Sequence, residues 1–227
     1  RRALAIDATF VPALHTLGTI LSELSRTIEA EAAFVRALSL DPRHVASLLA
    51  LAALCGQGGR TDEALALLER AASVAPHSAE AHLRLGNLRA ELGCGAAAVA
   101  SLRSALEHDP NHVEAWYALS LSGALDLGRG DTERLVRLAA GGRVDEDQRI
   151  KLSFVLGNAA ERQGKIARAF ADFQHGNSLR KAALARAGQD FDPAAHARRI
   201  AAIAEAFPLD SFADLSAPTE PGPIFVA

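Results

Sequence analysis

The chain has 227 residues, 49% of them hydrophobic, enough to bury a real core in one or two domains. A formal net charge of −3 excludes a strongly basic molecule, and with it nucleic acid or an anionic membrane held by bulk electrostatics. Aromatics make up only 5% and alanine is abundant, which favours closely packed helices over a β-sandwich.

From the N-terminus, RRALAIDATF has no apolar stretch after its arginines, so it does not read as a signal peptide. No later apolar run reaches the ~18 residues of a membrane span. Cys55 and Cys94 stand far apart in no metal-ligand spacing and read as reduced thiols, which points to a cytoplasmic setting. There is no methionine, so further residues are expected upstream. Arginine far outnumbers lysine, which occurs only at 151, 165 and 181; with so much alanine, this composition points to a GC-rich bacterial gene.

A period then emerges. ALSLDP, AASVAP and ALEHDP end at Pro42, Pro76 and Pro110, each 34 residues after the last. Five positions before each proline sits Ala37, Ala71 or Ala105, and seven before those, Ala30, Ala64 or Ala98. Between the alanines lies a bulky apolar residue: Phe34, Leu68 or Leu102. Earlier in each unit come Leu17-Gly18, Leu51-Ala52 and Leu85-Gly86. Two helices that pack closely admit only Gly or Ala where their axes approach, and Leu14, Leu17 and Phe34 fill the holes beside them. A proline, lacking an N–H, closes the second helix. A helix pair alone cannot bury its apolar face, so stacked neighbours supply the core.

Full units fall at 11–44, 45–78 and 79–112, after a repeat tail at 1–10. A fourth unit, 113–149, starts with VEAWYALS, Trp116 taking the bulky first-helix position. It then degenerates through the helix breakers of GALDLGRGD into a short second helix, RLVRLAAGGR. DEDQR, at 145–149, reads as an acidic helix start favourable to the macrodipole. In the fifth unit, 150–187, Leu156-Gly157, Ala169 and Phe173 return to register, with Gly176 where the later alanine belongs. Gly176 lies within a long second helix at a cost of ~1 kcal/mol, which predicts a close helix crossing there. Asp192-Pro193 opens a further helix that ends near Phe207, inside a helix-and-linker segment at 188–222. PIFVA, at 223–227, reads as the start of a buried strand.

The in-phase recurrence over residues 11–112 is the tetratricopeptide-repeat (TPR) pattern, and it implies an all-α, right-handed superhelix of antiparallel helix pairs. In such proteins the first helix of each pair lines a concave groove. By register its inward positions here include His15, Thr19, Leu49, Leu83, Asn87, Tyr117, Leu121, Phe154, Asn158 and Glu161. In some TPR families an asparagine at the place of Asn87 and Asn158 hydrogen-bonds the backbone of an extended peptide. The paired lysines of chaperone-tail binders are absent. The mixed groove, with Tyr117 and Phe154, suits a partly apolar peptide.

The C-terminal third carries a second resemblance. LSFVLGNAAERQGKIARAFADFQHGNSLRK, then FDPAAHARRIAAIAEAF, then a short linker and PIFVA, resembles the bacterial TPR–sulfotransferase fusion proteins, whose catalytic domain is similar to tyrosylprotein sulfotransferases. That resemblance implies that PIFVA is the first strand of a sulfotransferase domain whose donor loop, of the type Gly-x-Pro-Arg-Ser-Gly-Thr-Thr, cradles PAPS. No residue here matches the donor-binding or catalytic positions, so no catalytic or cofactor-binding residue is assigned and the chain by itself is expected to be inactive. A stand-alone TPR adaptor and the TPR half of another transferase, such as an O-GlcNAc transferase relative, are the competing readings.

Other chemistry is sparse. CxxC, HExxH, GxGxxG and GxSxG motifs are absent. His44, His77, His108 and His112 fall at turns between units and read as solvated turn residues rather than metal ligands. GQGGR, at 56–60, lies between paired helices rather than after a strand and reads as a flexible turn.

Overall fold

The computed structural model describes residues 7, 9–142, 144–189 and 193–206, and among them it holds eleven α-helices and no strand. PIFVA, Asp192 and most of the expected N-terminal repeat tail lie outside the described residues. The chain divides into two compact units, residues 1–180 and 181–227.

In the first unit the helices come in pairs: α1 (Val11–Glu23) with α2 (Thr27–Leu40), α3 (Val45–Gln57) with α4 (Thr61–Val74), and α5 (Ala79–Glu91) with α6 (Gly95–His108). Each first helix also packs on the second helix of the preceding pair. The second helices stop two residues before Pro42, Pro76 and Pro110, and the residue preceding each proline is extended or nearly so, as the proline ring demands. New first helices then start at caps: the His44 side chain accepts from the Ser47 N–H, and the Ser78 hydroxyl from the Ala81 N–H at 3.2 Å.

The small residues sit where the sequence pattern requires close approach. A Cβ on Gly18 would lie 2.5 Å from the Phe34 ring, and one on Gly157 2.5 Å from the Phe173 ring. Gly176 is buried against Ser153 and Phe154, where a Cβ would come to 3.1 and 3.3 Å, so the predicted close crossing is present. Ala30, Ala37, Ala71 and Ala105 are completely enclosed. The turn within each regular pair needs a left-handed residue; Gly59 and Gly93 supply it, and Ser25 adopts it at φ 58°.

The fourth unit departs from this scheme. Helix α7 (Val113–Leu121) has nine residues, against thirteen for each earlier first helix. It ends at a turn through Gly123, four positions before Leu127, which occupies the register of Gly59 and Gly93. The chain then runs without regular secondary structure through 124–128, with Leu125 and Leu127 buried at 1% and 5% exposure. Helix α8 (Arg129–Ala140) adds Leu135 to the same core, together with Trp116, Val144 and Leu152. Trp116 donates its indole N–H to the Pro110 carbonyl at 2.9 Å, which ties the unit to the preceding turn.

Helix α9 (Glu146–Arg162) opens with a full capping box: Asp145 accepts from the Gln148 N–H, and the Gln148 side chain accepts from the Asp145 N–H. It packs on both α7 and α8. Helix α10 (Ile166–Arg186) follows as a single long second helix. In the second unit, α11 (Pro193–Ala206) is amphipathic, with Ile200 and Ile203 half-exposed. None of the described helices is long and apolar enough to cross a membrane.

Candidate functional site

On the first-helix face, α1, α3 and α5 enclose a hollow of about 390 Å³. Its shape follows from side-chain size. Helix α3 presents Ala46, Ala50 and Ala53 with Leu49 between them, so its wall is low with one apolar ridge. On α1, Gly18 has no side chain to screen the floor, and the ring of Phe34 closes the bottom. The margin is polar: His15, Thr19, Ser22 and Glu23 from α1, Gln57 from α3, and Arg84 from α5.

His15 is held in place by a buried hydroxyl. Ser47 is completely enclosed, and its Oγ lies 2.8 Å from His44 Nδ1 and 3.3 Å from His15 Nδ1. His44 Nδ1 also accepts from the Ser47 N–H, so it is the unprotonated nitrogen of its ring. The Ser47 hydroxyl then donates to His44 and accepts from His15, which leaves the Nε2 lone pair of His15 as an acceptor for a ligand. Burial, aided by the neighbouring His44, lowers the His15 pKa and keeps the ring neutral at pH 7. The ring also lies 5.6 Å from Phe34, which fixes its tilt. The Thr19 hydroxyl donates back to the His15 carbonyl at 3.2 Å.

The structure gathers His15, Thr19 and Leu49 into this hollow, and Asn87 stands exposed on α5. It places the other register positions differently. Leu83, at 6% exposure, belongs to the central core and lies beneath the surface. Tyr117 is half-buried and Leu121 is 66% exposed at the cut end of α7. Phe154 is covered from α10: its ring lies 6.2 Å from Phe173, with the Arg180 guanidinium 5.1 Å above it. Asn158 is not equivalent to Asn87, because its Nδ2 donates to the Ser120 Oγ at 3.2 Å. Glu161 is exposed on α9. Arg84 and Gln57 were missed by sequence reasoning; the signal available for the hollow itself was the alanine run 46, 50, 53 at helical spacing.

A chain of charges borders the same face. Arg84 pairs with Glu80 four residues away. Glu80 lies 3.8 Å from His112, His112 lies 3.4 Å from Glu114, and Lys151 reaches Glu114 at 3.7 Å and Asp147 at 2.6 Å. The strap joins α5, α7 and α9 across three repeats. His112 beside it, with Arg84, holds the Glu80 carboxyl down to about 2 against desolvation, and Glu80 in turn raises the His112 pKa. Among the described residues no cluster of three His, Cys, Asp or Glu could hold a metal ion. Cys55 is buried and Cys94 exposed.

Stacked helix pairs with a hollow along their first helices define a helical-repeat scaffold. The tetratricopeptide-repeat family model matches the chain twice, at residues 21–82 and 57–121, and across that stretch the chain is built of tetratricopeptide repeats. Solved structures with the same fold include MamA (22% identity, 72% of this chain and 94% of that one, TM-score 0.54). YrrB, described as a TPR protein with an unusual peptide-binding site, is also similar (16% identity, 78% and 90%, TM-score 0.55). So is the APC/C hetero-tetramer Cut9–Hcn1 (16% identity, 78% and 35%, TM-score 0.58). At these identities the likeness shows the fold. No curated protein matches the chain.

Proposed function

We propose that the repeat array binds an extended segment of a partner protein in the hollow formed by α1, α3 and α5. The observation that carries this reading is the hollow itself, with its apolar floor of Phe34 and Leu54, its alanine wall and its polar margin on three successive first helices. An apolar side chain of the ligand would fill the alanine wall beside Leu49. The His15 acceptor and the exposed Asn87 amide would meet its backbone groups. The peptide-binding character of the similarly folded YrrB supports the same use. The test is a peptide selected by display against the protein and measured by calorimetry. Leu49→Glu places a charge in the hollow and is expected to weaken that peptide at least tenfold; undiminished affinity would remove the hollow from the site.

A finer reading makes this array the acceptor-binding arm of a PAPS-dependent sulfotransferase acting on a protein or carbohydrate. Its support is the sequence order at 150–227: the HGN segment, FDP and PIFVA. Codons beyond Ala227 that read Gly-x-Pro-Arg-Ser-Gly-Thr would support it. A different sequence there would leave the adaptor reading alone.

A further inference from the structure

A second hollow, lined by other residues, takes one wall from the irregular fourth unit. It has a volume of about 460 Å³ and lies between α8 and α10, over α9. Its floor is apolar and low, made by Leu156, Ala159 and Ala160, with Val136 of α8 as one wall, 40% exposed. A smaller hollow of about 260 Å³ adjoins it and shares Val136, Leu156, Arg168 and Asp172. From Lys165, just ahead of α10, to His175 within it, the two form a trough about 15 Å long at ~1.5 Å per residue, close to three helical turns.

The charges along this trough are unbalanced. Arg137, Arg149, Lys165 and Arg168 line it, against the carboxylates of Glu133 and Asp172. Each carboxylate is already paired on its own helix: Glu133 with Arg137 at 3.9 Å, and Asp172 with Arg168 at 2.7 Å. The Lys165 ammonium donates to the neutral Gln163 amide at 2.8 Å, and the Arg149 guanidinium to the Val144 carbonyl at 3.4 Å. Two cations therefore face the trough without a carboxylate from its lining. The apolar floor with cationic margins matches a helix that carries a small apolar stripe between acidic flanks.

We propose that the trough between α8 and α10 docks an acidic amphipathic helix of a partner protein. This site is separate from the hollow on α1, α3 and α5 and does not rest on it.

The probes are two 15-residue helical peptides with one leucine stripe, flanked in one by glutamate and in the other by lysine. Binding to the full chain is measured by fluorescence polarisation at low salt, with backbone amide shifts to locate it. The acidic peptide is expected to bind at least tenfold tighter than the basic one and to shift amides of α8 and α10. Val136→Asp and Lys165→Glu, both at exposed positions whose folding is checked by circular dichroism, should each weaken the acidic peptide severalfold. Lys165→Glu should also narrow the preference over the basic peptide. Equal affinity for both peptides, indifference to both variants, or shifts confined to α1, α3 and α5 would overturn the proposal. So would saturation of the trough by decanoate with neither peptide binding, since that would make the occupant a small amphiphile.

Discussion

The three regular repeats and the fourth unit begin with the same kind of first helix and end differently. In the regular repeats Gly18, Ala52 and Gly86 let the second helix close in, and seven residues later a left-handed residue turns the chain back. In the fourth unit these two positions hold Ser120 and Leu127. The turn moves forward to Gly123, and the segment after it becomes part of the core through Leu125 and Leu127. A repeat is thus defined by two kinds of residue, one small and one free to turn left. When both change, buried leucines in an irregular segment can hold the stack together instead.

The largest test of this contrast is Leu125→Ala. It removes a side chain only 1% exposed from an irregular segment, and is expected to cost about 2–5 kcal/mol in chemical denaturation. The same change at Leu24, 61% exposed at a regular turn, should cost less than about 0.5 kcal/mol. Equal effects would mean that the irregular segment contributes no core. Next in size is Gly18→Ala, whose new methyl would meet the Phe34 ring; the expected loss is about 1–3 kcal/mol by overpacking, visible as a lower Tm.

The charged strap gives a smaller effect with a defined sign. The Glu80 pKa is depressed to about 2, so its contribution is present above about 4.5 and lost as pH falls toward 2. The His112 pKa is raised from 6.5, so its contribution is present below 6.5 and lost as pH rises through the folded value. Their joint contribution is therefore greatest between about pH 4.5 and 6.5. A Tm-versus-pH profile should decline on both sides of that window, and His112→Gln should flatten its alkaline side. An alkaline side unchanged in the variant would dissociate His112 from the strap. Smallest of all, Ser25→Gly should raise stability by under about 1 kcal/mol, because Ser25 holds a left-handed conformation. Gly59→Ala should lower it by a similar amount.

Much of the fold was legible in the sequence because the repeat writes the same packing three times. Proline spacing, the paired alanines and Gly176 each named a contact that the structure contains. The groove was less legible. Register says which side of a first helix faces inward, but not how far neighbours cover it. Leu83 shares its register with Leu49, yet it sinks into the core that the fourth unit builds with Leu125 and Leu127. The same periodicity places Phe154 and Asn158 in the groove; α10 covers one, and Ser120, which replaces the expected glycine, engages the other. The trough between α8 and α10 carried no repeat signal; one of its walls, α8, belongs to the unit where the repeat fails.

The most direct test of the proposed role is the amide shift map of the chain titrated with a display-selected peptide. Shifts are expected to concentrate at His15, Leu49, Ala53 and Asn87, on the first helices of the three regular repeats. Shifts on second helices alone, or none at saturating peptide, would contradict it.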